Sequence, residues 1–285
     1  MSSDFCFAIL LSDDSLVSIG SFQQSVALSV DPSGNIYVID GGTNEILKFS
    51  RAGKLLTTIG GYGWTQLSFD KPMDLIAPNG IDVYIADYGN HRIQRFDRNL
   101  NYVSTFSTRD SEQEEQRFGY PRSVSLSKFG ALFIVDGENQ RILKVNNLTK
   151  VERTFGGLSS GKGRLRNPAR VRVGENDIVY VQDGNTIVLF DIFGNYLTSL
   201  GKEYFKNIKS FVVHSNKLYV LDSCSIAVFN EKGNFEQRVD SLPNYFHEAN
   251  CEIVDLGIGG ENVYLLTKHN IVKITLKEII KPIKN

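Results

Sequence analysis

The 285-residue chain is poor in the residues that announce particular chemistries: one Trp, two Met, three Cys and four His. Cys6, Cys224 and Cys251 are an odd count with no Cys-x-x-Cys pair. That excludes a multi-bridge disulfide framework and a four-thiolate zinc site. No apolar run is long enough to span a bilayer as a helix. The longest near the start, Phe5–Leu11, has the length of a secretory signal core, yet no Lys or Arg precedes it and no clear cleavage site follows. The net charge of −1 gives no global attraction for nucleic acid or anionic membranes. No P-loop, no Ser/His/Asp order and no Cys/His nucleophile pair is present.

What is present is a repeat. An aromatic shortly after a turn-forming residue recurs at Tyr37, Tyr84, Phe133, Tyr180, Tyr219 and Tyr264. Three residues on come Asp40, Asp87, Asp136, Asp183 and Asp222, with Thr267 in the last copy. A spacing of roughly 40–50 residues made of short alternating segments is the pattern of propeller blades. Each unit reads as four strands, the first following a Phe-x-x-Pro-like lead-in, Phe69–Pro72, Phe118–Pro121 and Leu165–Pro168, with Phe22–Ser25 a weaker copy. The last unit stops after its third strand, and a sixth copy of the fourth strand stands at Ser15–Gly20. The expected fold is all-β: a six-bladed β-propeller of four-stranded antiparallel blades, the N-terminal strand completing the last blade, three plus one. Residues 15–276 form the single propeller, 1–14 a leading segment (a signal remnant or a loose end) and 277–285 a tail.

Tyr84-Ile-Ala-Asp-Tyr-Gly-Asn-His-Arg-Ile93, with Tyr37–Ile46 and Phe133–Ile142, resembles the NHL repeat. The resemblance runs from Ser15 to about Leu276. It implies a six-bladed propeller, usually a binding platform and occasionally an enzyme.

The units are not equivalent. From the repeated Asp to the next strand is six residues in the first three units and four in the last three, which therefore lose the turn Asn and Arg. Residues 91–172 hold 16 Lys and Arg against 8 Asp and Glu, a surplus of eight; the remainder holds 15 against 24. The turns between second and third strands and the linkers between blades open on one face. That face is expected to carry the candidate partner-binding residues Trp64, Tyr88, His91, Arg92, Arg117, Arg141, Arg164 and Arg166, with Arg170 beside them. Asp40, Asp87, Asp136, Asp183 and Asp222 are expected to be structural caps of the turns, since a short carboxylate there accepts from backbone N–H groups. Arg92 and Arg141 are also placed to pair with Asp87 and Asp136. Cys224 and Cys251 are expected as buried free thiols, and His214 as an exposed turn residue.

Trp, Tyr and Arg are the residues that dominate protein interfaces. The reading is a non-catalytic scaffold that recognises a protein or peptide partner on this linker face. It expects no enzyme activity, no cofactor, no metal, no membrane span and no small-molecule substrate. RNA binding through residues 91–172 is the alternative, opposed by Asp110, Glu112, Glu114 and Glu115 in the same rim. A metal-dependent lyase or lactonase at the central axis is the third, with only Asp74 and Asp255 as inward carboxylates. The apolar run near the start leans the location to the periplasm or exterior, with the cytoplasm as the alternative.

Overall fold

The structure is a computed structural model and describes residues 17–279 apart from 147, 202, 241 and 243–251. Six four-stranded sheets stand in a ring. Blade 1 runs outward through Ser25–Val30, Ile36–Asp40, Glu45–Phe49 and Leu55–Gly60. The inner strands of the next five blades are Pro72–Ile76, Pro121–Leu126, Pro168–Val173, Ile208–His214 and Ile253–Gly259. Blade 6 has three consecutive strands of its own, and Val17–Ile19 pairs antiparallel with Ile271–Thr275 as its outermost strand. Closure by both termini leaves no open seam between last and first blades. Phe5–Leu11 lies outside the described residues.

The core sits between the blades. The second strand of every blade is apolar and largely buried on both sides, as in Ile36–Asp40 and Ala131–Asp136. One cluster joins Tyr84, Ala86 and Ile93 of blade 2 to Val124, Leu132 and Ile134 of blade 3, and the pattern recurs between other neighbours. Phe69 and Phe118 of the lead-ins are fully buried wedges. Between blades 6 and 1 the inner strands approach closely. A Cβ on Gly257 would stand 2.3 Å from Leu28, and one on Gly259 2.5 Å from Val30. Only glycine lets these two inner strands come together.

Candidate functional site

The site begins with a bulge. In every blade the register between first and second strands slips after the first residue of the inner strand: Ser25/Ala27, Pro72/Asp74, Pro121/Ser123, Pro168/Arg170, Ile208/Ser210 and Ile253/Asp255. A bulge re-aims the side chain that follows it. Ala27, Asp74, Ser123, Arg170, Ser210 and Asp255 are all buried, and the five polar members bond to one another or to a neighbouring inner strand around the axis. Arg170 and Arg172, both on the inner strand of blade 4, reach two blades away in opposite directions. Arg170 Nη1 lies 2.6 Å from Asp255 Oδ1 in blade 6, and Arg172 Nη1 2.8 Å from Asp74 Oδ2 in blade 2. Arg172 Nη2 donates to Asp74 Oδ1 at 2.8 Å. Ser123 donates to Asp74 and Ser210 to Asp255. Leu28 N donates to Asp255 Oδ2 at 2.9 Å, bringing in blade 1. Burial pushes the Asp74 carboxyl up, but the Arg172 and Arg170 charges outweigh it and hold it below the usual carboxylate value. Arg170 is held charged, its own burial cost outweighed by Asp255 and Asp74.

This charged ring closes one end of an axial funnel. The funnel, about 640 Å³, is lined by all six blades. Alternation along the inner strands sets two further levels above the ring: Ser29, Ile76, Ser125, Arg172, Val212 and Gly257, then Asp31, Pro78, Ser127, Gly174, His214 and Gly259. The mouth opens on the face opposite the linkers. A concavity whose lining is polar and apolar in nearly equal parts suits a small polar molecule or a chain end. His214 differs from expectation: it lines this mouth and is half-buried. Burial lowers its pKa, against the pull of Glu175. A metal at the axis, which the lyase or lactonase alternative requires, does not fit residues whose carboxylate oxygens already face guanidinium groups. Among the described residues no group of three or more His, Cys, Asp or Glu is placed to hold a metal ion.

On the linker face the arginines have divergent surroundings. Arg92 Nε lies 2.7 Å from Asp87, and its Nη atoms donate to the carbonyls of Trp64, Thr65 and Ser68. Arg141 pairs with Asp136 at 3.0 Å and donates to the Arg117 carbonyl. Arg117 Nε donates to Ser111 O at 2.7 Å. These guanidinium groups are engaged inside the protein and hold linkers in place. Arg170, expected on this face, is turned by the bulge into the axis and is 9% exposed. Arg164 and Arg166 are exposed, with no side-chain partner among the described residues. Tyr120 packs against Tyr88 at 5.1 Å and His91 at 4.1 Å, with Arg109 over its ring. His91 Nδ1 accepts from Tyr120 N at 3.0 Å, and burial together with the Arg109 charge depresses its pKa. Trp64 is 76% and Tyr62 72% exposed, with half-exposed Leu67 on the same linker.

Each repeated Asp accepts backbone N–H groups from the linker that enters its own blade, and in blades 2 and 3 it also accepts from the turn side chains Asn90, Arg92, Asn139 and Arg141. Asp40 takes Gln23 and Gln24 N–H, Asp87 takes Asp70 N–H, and Asp136 takes Gly119 N–H. Asp183 takes Arg166 and Asn167 N–H, and Asp222 takes Lys206 and Asn207 N–H. In blades 1 and 3 the turn N–H groups of Gly42 and Asn139 are held as well. In blade 5, whose short turn lacks the Arg, Arg238 of the outer strand takes over: it pairs with Asp222 and donates to Tyr204 O. The free-thiol expectation is corrected at Cys224, which is disulfide-bonded; Cys6 and Cys251 both lie outside the described residues.

The positions of the charged ring can be counted in the sequence. They stand two residues past the start of each inner strand, at the Pro of the lead-in in blades 2, 3 and 4. A search of the inner strands for carboxylates finds only Asp74 and Asp255 of this ring, and nothing in the sequence shows that Arg170 and Arg172 reach them.

No protein-family model matches the chain. A Caenorhabditis elegans protein named probable peptidyl-alpha-hydroxyglycine alpha-amidating lyase is 31% identical over 130 residues, 43% of this chain and 37% of the relative. Human NHL repeat-containing protein 3 is 32% identical over 80 residues, 27% of this chain and 23% of the relative. The chain thus spans well under half the length of either. Among solved structures, a streptogramin B lyase superposes with a TM-score of 0.67 at 12% identity, covering 90% of this chain and 96% of the other. A virginiamycin B lyase from Staphylococcus aureus gives 0.61 at 14% identity, covering 91% and 98%. The expectation of a chain outside the enzymes is overturned by the first of these, since a relative by sequence is named a probable lyase. The repeat, the ring of six blades and the sequence matches are together consistent with an NHL-repeat propeller.

Proposed function

We propose that this propeller is a rigid platform that binds a protein or peptide partner on its linker face. One observation carries the reading: an exposed Trp64–Tyr62–Leu67 surface on a linker whose carbonyls Arg92 holds at three points. An apolar surface presented in a fixed shape binds with little ordering cost. The RNA alternative has less support. Nine of the 16 basic residues in 91–172 are in ion pairs, among them Arg92, Arg95, Arg109, Arg141, Arg170 and Arg172. The test is a peptide-display selection read through the single tryptophan. A selected peptide should change Trp64 emission, and Trp64→Ala should weaken it about tenfold or more, a hot-spot-sized loss. Peptides that bind equally well without Trp64 would sink the reading.

A second reading is favoured by the lyase names and the funnel. In it a peptide end or small molecule enters the funnel and loses a group there. His214, whose pKa burial lowers, is a group at the funnel mouth able to take a proton, and Arg172 lies at the funnel floor. With an N-acyl-α-hydroxyglycine, the hydroxyl proton would pass to the base, the C–N bond would break, and the amide nitrogen would be reprotonated as glyoxylate leaves. Incubation of the purified protein with that compound tests it: release of primary amide, lost in His214→Asn, is the expected result, and no release removes the reading for this substrate.

A further inference from the structure

Basic side chains without a partner among the described residues occur at several places, Lys54, Lys71, Arg98 and Lys232 among them, and three of them fall within five residues of one linker. Lys162, Arg164 and Arg166 are all exposed on the segment entering blade 4, and no described residue pairs with their side chains. Leu158, on the same linker, is 78% exposed. The next linker and inner strand add exposed Lys206 and Lys209, again without a described side-chain partner. Lys209 occupies the bulge position of blade 5, which turns its side chain away from the axis. The turn of blade 4 is trimmed and carries no arginine. Its Asp183 accepts the Arg166 and Asn167 N–H groups, which fixes the linker backbone. With no turn arginine in this blade, Asp183 makes no ion pair among the described residues. The linker arginines are therefore held by the backbone and project.

We infer that this segment docks an acidic stretch of a partner protein, with Leu158 as an apolar anchor beside the positive charges. The inference rests on the linker-face reading above and names its partner's chemistry. An acidic protein segment fits better than a nucleic-acid strand. The most exposed aromatics of this face, Tyr62 and Trp64, lie on the linker into blade 2, and the linker into blade 3 carries Asp110, Glu112 and Glu115, a charge that opposes a continuous phosphate backbone but not a short acidic segment.

The experiment uses the full chain and a dye-labelled Glu-rich peptide containing Leu and Phe, read by anisotropy. Binding is expected at low salt, weakening about tenfold or more by about 0.3 M salt, where screening is nearly complete beyond a few ångströms. Arg164→Glu with Arg166→Glu should weaken it at least tenfold. Lys54→Glu with Arg98→Glu, the same charge change on the opposite face, should leave it within about twofold, and circular dichroism should show both variants folded. Equal losses in the two double variants would mean non-specific attraction and overturn the inference. So would tighter binding of poly-uridine RNA that the same Arg164/Arg166 pair abolishes. Failure of the Glu-rich peptide to bind would end the inference alone, while selected peptides that depend on Trp64 would keep the linker-face reading. Loss of both signals would end both.

Discussion

The linkers entering blades 2 and 4 lie on one face, and each ends in a buried wedge, Phe69 or Leu165. In each, a strand-end carboxylate holds the backbone: Asp87 takes Asp70 N–H, and Asp183 takes Arg166 N–H. Yet the arginines beside them do opposite things. Arg92 is bound to a carboxylate and three carbonyls, while the side chains of Arg164 and Arg166 have no partner among the described residues. The difference is two residues of turn. Blade 2 keeps the long turn that carries Arg92, and blade 4 has lost it. The same residue type in the same repeat is thus a structural tie in one blade and an open charge in another.

The largest effect should come where the tie is deepest. Arg170→Ala leaves Asp255 charged in the buried axis, and removal of one partner of such a pair costs about 3–5 kcal/mol. A urea-unfolding midpoint close to that of the unaltered protein would show that the ring is not a structural tie. Next is Arg92→Ala, which strands buried Asp87 and releases three carbonyls. About 2–3 kcal/mol of stability should be lost, the size expected for charge-assisted bonds. Trp64 emission should also become more readily quenched by iodide as its linker loosens. Unchanged quenching would mean the linker is held by something else.

A smaller effect contrasts the two depressed histidines, His214 at the funnel and His91 on the linker face. A histidine with a lowered folded pKa takes up its proton more readily when unfolded. Its contribution is therefore present above the ordinary value of about 6.5 and is lost as pH falls below it. Stability should decline on acidification through that range. His214→Asn and His91→Asn should each flatten the decline, and an unaltered pH profile in both would refute the assignment. The smallest effect is the sharpest test of the opening contrast. Arg164→Ala and Arg166→Ala should change stability by no more than about 0.5 kcal/mol, as surface substitutions do. A loss near that of Arg92→Ala would erase the distinction between tie and open charge.

Much of this was visible in the residues. The spacing of Tyr37, Tyr84 and their successors gave six blades, and the displaced Ser15–Gly20 segment foretold the closing strand, observed as Val17–Ile19. Both follow from short-range alternation, which repeats whatever the surroundings. Arg170 shows where that logic stopped. Its place two residues past Pro168 could be counted, but its direction depended on a bulge, and its partner Asp255 is 85 residues away. His214 was placed in the correct turn and assigned the wrong exposure, because burial there comes from the funnel walls of other blades. Even the surplus of eight positive charges in 91–172 was real and misleading, since most of those side chains find carboxylates once the chain is folded.

By itself, then, the sequence determined the number of blades, the order of strands within each, the closing strand and the two classes of turn. These depend on neighbours a few residues apart. Only the tertiary structure decided that two arginines of one strand would seal the axis against Asp74 and Asp255, and that the linker into blade 4 would keep its charges free. Those outcomes depend on which distant carboxylate a guanidinium can reach, and that distance exists only when the ring is closed.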